Sequence, residues 1–167
     1  LSGWEKKITI REICEWREST AILAEQKPWW QPGTSSGYHA LTQGHLVGEV
    51  IRRITGESIG EFFAKEIAEP LEADFHIGLD EKDFYRVSDV IYPTEDIRDQ
   101  MMERAKSIAK LGVTDEVAVK TLQNPRNNED NVNSEWWRKA EIPASKGHGN
   151  ARSVATIQGL ITKKVSF

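Results

Sequence analysis

The longest run of helix-spaced apolar residues lies between 40 and 55. Leu46, Val47, Val50, Ile51 and Ile54 recur at three- and four-residue intervals, with Glu49, Arg52 and Arg53 on the opposite side. That period predicts a helix over 40–55 with one buried stripe and one solvated charged face. Gly44 and Gly48, four apart, let another backbone approach closely, and Gly56 stands where a C-terminal cap belongs. A second helix is expected at once, because Ser58 and Glu61 have capping-box spacing. Ile59, Phe62, Phe63 and Ile67 form its apolar side, and Pro70 ends it.

Upstream, Thr9 is placed to cap a first helix that carries Ile10, Ile13, Trp16, Ile22 and Leu23. Between 27 and 37 the pattern stops. Pro28 and Pro32 forbid a continuous helix, and Pro32-Gly33 suits a tight turn. Leu71 to Leu79 reads as a short extended piece, and 80–90 as polar loop. Thr94 is a candidate cap for a third helix over 95–111, and Thr114 for a fourth ending near Gln123. Trp136 and Trp137 fall on a short helix after Ser134, as core anchors or as an interaction patch. Asn150 caps a last helix with Val154, Ala155, Ile157 and Ile161 as its buried positions. The expected fold is mainly α, with too few strand-like runs to build a sheet.

Composition narrows the function classes. The 167 residues carry 29% charged and 38% hydrophobic side chains and a net charge of −4, with both signs mixed. There is no basic stripe, so nucleic acid is not an expected partner. No apolar run approaches the roughly 20 residues that span a bilayer. No signal peptide is visible, which favours a cytoplasmic setting over export. The single Cys14 makes no internal disulfide. His39, His45, His76 and His148 lack a metal-ligand spacing, so neither a metal nor another cofactor is expected. The chain begins at Leu1 and ends on Lys163-Lys164-Val165-Ser166-Phe167, which reads as part of something longer.

The candidate chemistry lies in Pro28-Trp29-Trp30-Gln31-Pro32-Gly33-Thr34-Ser35-Ser36-Gly37-Tyr38-His39-Ala40. A free phenol is a poor base at neutral pH. It becomes useful within a proton-relay network, provided its approach is rigid. The Pro-Gly turn and the helix entry supply that rigidity at Tyr38. The plainer reading is a tyrosine packed on a helix end with its hydroxyl in water. Trp29 and Trp30 have two open roles, an acyl pocket or loop packing.

This stretch, continued by Leu46-x-Gly48-Glu49-x-x-Arg52-Arg53-x-Thr55-Gly56-x-Ser58, resembles the serine β-lactamase-related family. That family comprises class C β-lactamases, penicillin-binding proteins and β-lactamase-like esterases. Glu69-Pro70-Leu71 to Leu79 and Glu141-Ile142-Pro143-Ala144 through Ser153 resemble it too. The likeness is strongest over 24–79 and 141–160. It implies one partial domain over 1–167, the helical portion of an α+β fold with most of the antiparallel sheet missing.

The resemblance also implies a mechanism. A serine in Ser-x-x-Lys forms an acyl-enzyme with a small-molecule ester or amide, while the lysine and a tyrosine carry the proton. Tyr38 matches that tyrosine and His39 the middle of Tyr-x-Asn. Ala40 replaces the asparagine, which leans toward an esterase. Trp29, Trp30, His39, His148 and Gly149 are the expected substrate-contacting residues. The chain has no Ser-x-x-Lys before Tyr38. Ser107-Ile108-Ala109-Lys110 matches the letters but comes in the wrong order. A fragment without a nucleophile should be inactive alone and should self-associate through apolar surface left exposed. The alternative is a non-catalytic helical binding module of the same descent.

Overall fold

The computed structural model describes residues 2–91, 94, 96–97, 99–100, 103, 116–125 and 132–162. The helix expected over 95–111 falls mostly outside these residues, and Ser107-Ile108-Ala109-Lys110 entirely so.

Helix dominates. Thr9 caps α1 (Ile10–Cys14) through a full capping box with Glu12, and α2 (Trp16–Glu25) follows one residue later. After the Pro-Gly loop comes α3 (Thr42–Thr55), closed by Gly56 in the left-handed conformation at φ 82°, where glycine pays no Cβ penalty. Ser58 and Glu61 cap α4 (Ile59–Phe63), which loosens into a π-helical turn at Ala64–Ala68. Two-residue strands β1 (Phe75–His76) and β2 (His148–Gly149) pair antiparallel, Phe75 opposite Gly149 and His76 opposite His148. Between them lie a 3-10 turn (Glu81–Arg86), α5 (Glu116–Gln123) and α6 (Glu135–Lys139), the last capped by Ser134. Asn150 Oδ1 accepts the Ser153 amide at the start of α7 (Ala151–Thr162). Among the described residues this two-stranded ladder is the whole sheet.

The core gathers around the first two helices. Trp4, Ile8, Ile10, Ile13, Leu23, Trp137 and Ile142 are buried together. Asn124 ties the N-terminal segment to the end of α5, accepting the Ile8 amide and donating to the carbonyls of Trp4 and Lys6. Glu141 secures α4 from below, one carboxylate oxygen on Ser58 Oγ at 2.7 Å and the other on the Gly60 amide at 3.1 Å.

Four sequence expectations are corrected. The buried face of α3 is Thr42, Gly44, His45 and Gly48, while Val47, Val50 and Ile54 of the expected stripe are exposed. The reason is shape. At Gly44 a Cβ would stand 2.6 Å from the Ala144 amide nitrogen, and at Gly48 2.5 Å from the Trp16 ring, so only the glycine face admits these neighbours. Glu49 is not on a solvated face but is turned onto α2, its side chain 13% exposed. In α7, Val154, Ala155 and Ile161 are exposed and Ile157 is half-buried, while the small Ser153 faces inward. On α4 and the π-helical turn after it the apolar residues Ile59, Phe62, Phe63 and Ile67 are half-buried, and Ala68 is the buried position.

Candidate functional site

The structure places the expected site residues in two groups, with Trp29 apart from both. The first is the entry to α3. Trp30 anchors the loop, its indole donating to the Ser35 carbonyl at 2.9 Å. The same ring lies against Gly37, where a Cβ would come within 2.5 Å of it. The residue before Tyr38 is therefore glycine because a tryptophan ring occupies the side-chain space. His39 Nδ1 pairs with Thr42 Oγ1 at 2.9 Å, and Thr42 is fully buried at the head of α3. Partial burial lowers the His39 pKa, which favours the neutral ring. Between these anchors the Tyr38 side chain is 78% exposed and has no hydrogen-bond partner among the described residues. The backbone is held on both sides and the phenol projects outward.

Trp29 faces elsewhere. Its indole donates to Glu5, its ring packs on Gly3, and the Lys120 ammonium lies 5.9 Å from the ring centre. It also borders a separate hollow with Ile22 and Pro28. The two tryptophans thus pin different parts of the chain.

The second group surrounds β2. His148 and Gly149 line a cavity of about 600 Å³ together with His76, Arg86, Arg138 and Lys146. Tyr38, His39, Trp29 and Trp30 are not among its lining residues. Gly147 and Gly149 are glycine because the Phe75 ring packs on both, at 2.2 Å and 2.6 Å from where a Cβ would stand. Arg86 is spoken for, with Asp74 and with Asp83 at 2.9 Å. Arg138 pairs with Asp89 at 2.6 Å, and His76 with Asp74 at 3.1 Å. Lys146 Nζ and His148 Nδ1 are buried and have no hydrogen-bond partner among the described residues. Burial lowers both, Lys146 to about 8, and the nearby cations push His148 down further.

Of these cavity-lining residues, the sequence singled out His148 and Gly149 as candidates but not Lys146, Arg138 or His76. Nothing local marks Lys146, a lysine two residues before a histidine. Its meaning comes from Trp137 and the cavity wall, which only the fold brings to it. The loop 141–149 links the groups, since Pro143 and Ala144 pack on Gly44 of α3 and the chain then runs into the cavity. Among the described residues no three His, Cys, Asp or Glu side chains gather as a metal set, and no helix is long and apolar enough to cross a membrane.

Comparison with known proteins places this arrangement. Residues 2–160 match the family described as Beta-lactamase. The chain is 30% identical over 128 residues to the esterase/beta-lactamase LipL of Mycobacterium tuberculosis, covering 75% of this chain and 29% of LipL. A family VIII carboxylesterase crystal structure superposes with TM-score 0.79 at 30% identity, over 96% of this chain and 39% of that one. A penicillin-binding protein homolog from Caulobacter crescentus gives TM-score 0.74 at 29% identity, over 96% of this chain and 40% of that one. EstA from Arthrobacter nitroguajacolicus gives 0.66 at 29%, over 94% and 40%. The chain spans less than half the length of each of these relatives, and its helices are the helical portion of their fold. By the match over residues 2–160, the chain belongs to the beta-lactamase family.

Proposed function

We propose that residues 1–167 form a single partial domain, the helical wall of an acyl-serine hydrolase site acting on small-molecule esters. The observation that carries this reading is the setting of Tyr38, an exposed phenol on a backbone clamped by Trp30 under Gly37 and by the His39–Thr42 pair. A relay group needs that combination of fixed approach and free oxygen. Ala40 in place of an amide, together with the names of LipL and of the family VIII carboxylesterase, supports an ester rather than a β-lactam substrate.

In this reading the nucleophile is a Ser-x-x-Lys serine not carried by these residues. Its oxygen bonds to the ester carbon, the alcohol leaves, and water later releases the acid. Tyr38 Oη takes the serine proton as it passes its own to the departing oxygen, so each proton is returned by the end of the cycle. Trp30 and His39 flank the relay, and Trp29, His148 and Gly149 are the remaining substrate-facing candidates. A second reading, a binding module without turnover, is favoured by the cavity at Lys146, which Tyr38 does not line.

The test uses the protein made from the complete open reading frame that encodes these residues. Hydrolysis of p-nitrophenyl butyrate should fall by about 100-fold or more in kcat for Tyr38→Phe, the range of a lost acid–base group, with the folded fraction unchanged. Equal kcat in the two proteins would remove Tyr38 from the chemistry.

A further inference from the structure

The cavity beside β2 contains a charge that the fold leaves unanswered. Its two carboxylates, Asp74 and Asp83, are both bound to Arg86. Arg138 is bound to Asp89. Lys146 forms no ion pair among the described residues, of the carboxylates only Glu141 supports its charge, through its longer-range field, and its Nζ is buried without a hydrogen-bond partner there. His148 Nδ1, on the same cavity wall, is in the same state. The Trp137 ring faces the ammonium at 5.1 Å. An unpaired buried ammonium costs free energy, and a cation over an aromatic face returns only a small part of it. Lysines are rarely held this way for structure alone, and a buried unsatisfied polar atom points to a missing partner.

Leu79, Val87, Val90, Val132 and Trp137 give the cavity an apolar wall, beside the neutral polar Ser88, Asn133, Ser145 and Asn150. We propose that this cavity is a binding site for a monocarboxylate with an apolar body, its carboxylate held between Lys146 Nζ and His148 Nδ1 and its chain laid against the valine and tryptophan wall. Burial, which keeps the Lys146 pKa near 8, leaves an ammonium that a carboxylate restores to full charge. The carboxylate supplies acceptors to both orphan nitrogens, and its charge answers the only lining cation left without an ion pair among the described residues. The proposal deepens and rests on the reading of His148 and Gly149 as substrate-facing, and makes the carboxylic acid released by ester hydrolysis the species recognised there. Binding is measured without turnover, so its failure would leave the Tyr38 reading standing, and loss of ester hydrolysis would leave this site standing.

The probe is hexanoate, with 1-hexanol as its neutral counterpart, titrated calorimetrically into this chain. Hexanoate should bind and hexanol should bind at least about tenfold more weakly, as expected for a charge-assisted contact. Lys146→Met should weaken hexanoate by about tenfold or more while raising the urea midpoint, because it removes a buried unpaired charge and keeps the volume. Lys65→Met, at an exposed lysine paired with Glu57, should change neither. In the unmutated chain, hexanoate should move the ring resonances of His148 and not those of His39. Equal affinity in Lys146→Met, equal affinity for hexanol, or an unmoved His148 ring would overturn the proposal.

Discussion

The indole of Trp16 donates to the carboxylate of Glu49 at 3.0 Å across 33 residues of chain. That bond joins α2 to α3 at the point where Gly48 leaves room for the ring. Arg52 reaches the same carboxylate with two nitrogens at 2.8 Å, and Arg53 with one. The pair of arginines, with the indole, holds the Glu49 carboxyl down at about 2. α3, whose entry carries Tyr38, is therefore braced at its middle from α2.

Removing either half of this brace should be felt. Trp16→Phe keeps an aromatic ring but loses a hydrogen bond to a charged acceptor, a loss of about 1.5–3 kcal/mol. Gly48→Ala puts a methyl 2.5 Å from the Trp16 ring, and the forced shift should cost about 1–3 kcal/mol. Urea denaturation of the two variants checks both values. A midpoint unchanged by Gly48→Ala would mean that the ring does not sit where the structure has it.

His45 makes stability pH-dependent. Its ring is fully buried, stacked 5.0 Å from Trp16 and edge-on to Trp4, with Nε2 donating to the Ile13 carbonyl at 2.9 Å. Burial lowers its pKa below the ordinary 6.5, against the pull of the Ile13 and Leu41 carbonyls. The unfolded ring thus takes its proton first as pH falls. Stability from this residue is full above about 6.5 and declines below it, by up to about 1.4 kcal/mol per pH unit until the native ring titrates. His45→Phe should be less stable at about pH 7.5, having lost the Ile13 bond, and flatter between pH 6.5 and 5.5. Parallel pH slopes in the two proteins would show that His45 titrates alike folded and unfolded.

The exposed side of α3 predicts association. Val47, Val50 and Ile54 are 53%, 57% and 78% exposed along one stripe, the residues that a helix of this pattern normally buries. Sedimentation of the chain should show a concentration-dependent dimer or larger species, shifted toward monomer by Val50→Lys with Ile54→Lys. A monomer at all concentrations, with one sharp unfolding transition, would contradict this.

Much of the helical scaffold was legible because its signals are local. Thr9, Ser58 and Asn150 cap where their spacing says, and Gly56 ends α3. Burial was less legible. A 3.6-residue period finds the apolar side of α3, but which side packs depends on Trp16 and Ala144, which are far away in sequence. The same is true of the site. Tyr38 is marked by the loop that precedes it and by family resemblance. Lys146 is marked only by the absence of a partner, which no sequence pattern records.

The account rests most directly on the claim that the nucleophile of this site is not among these residues. Ser107, in Ser107-Ile108-Ala109-Lys110, is the one literal competitor. Intact mass after incubation with a fluorophosphonate, for this chain and for Ser107→Ala, tests it. The predicted result is unmodified protein in both. A single adduct on the unmutated chain, absent from Ser107→Ala, would contradict the account and make that out-of-order motif the working nucleophile.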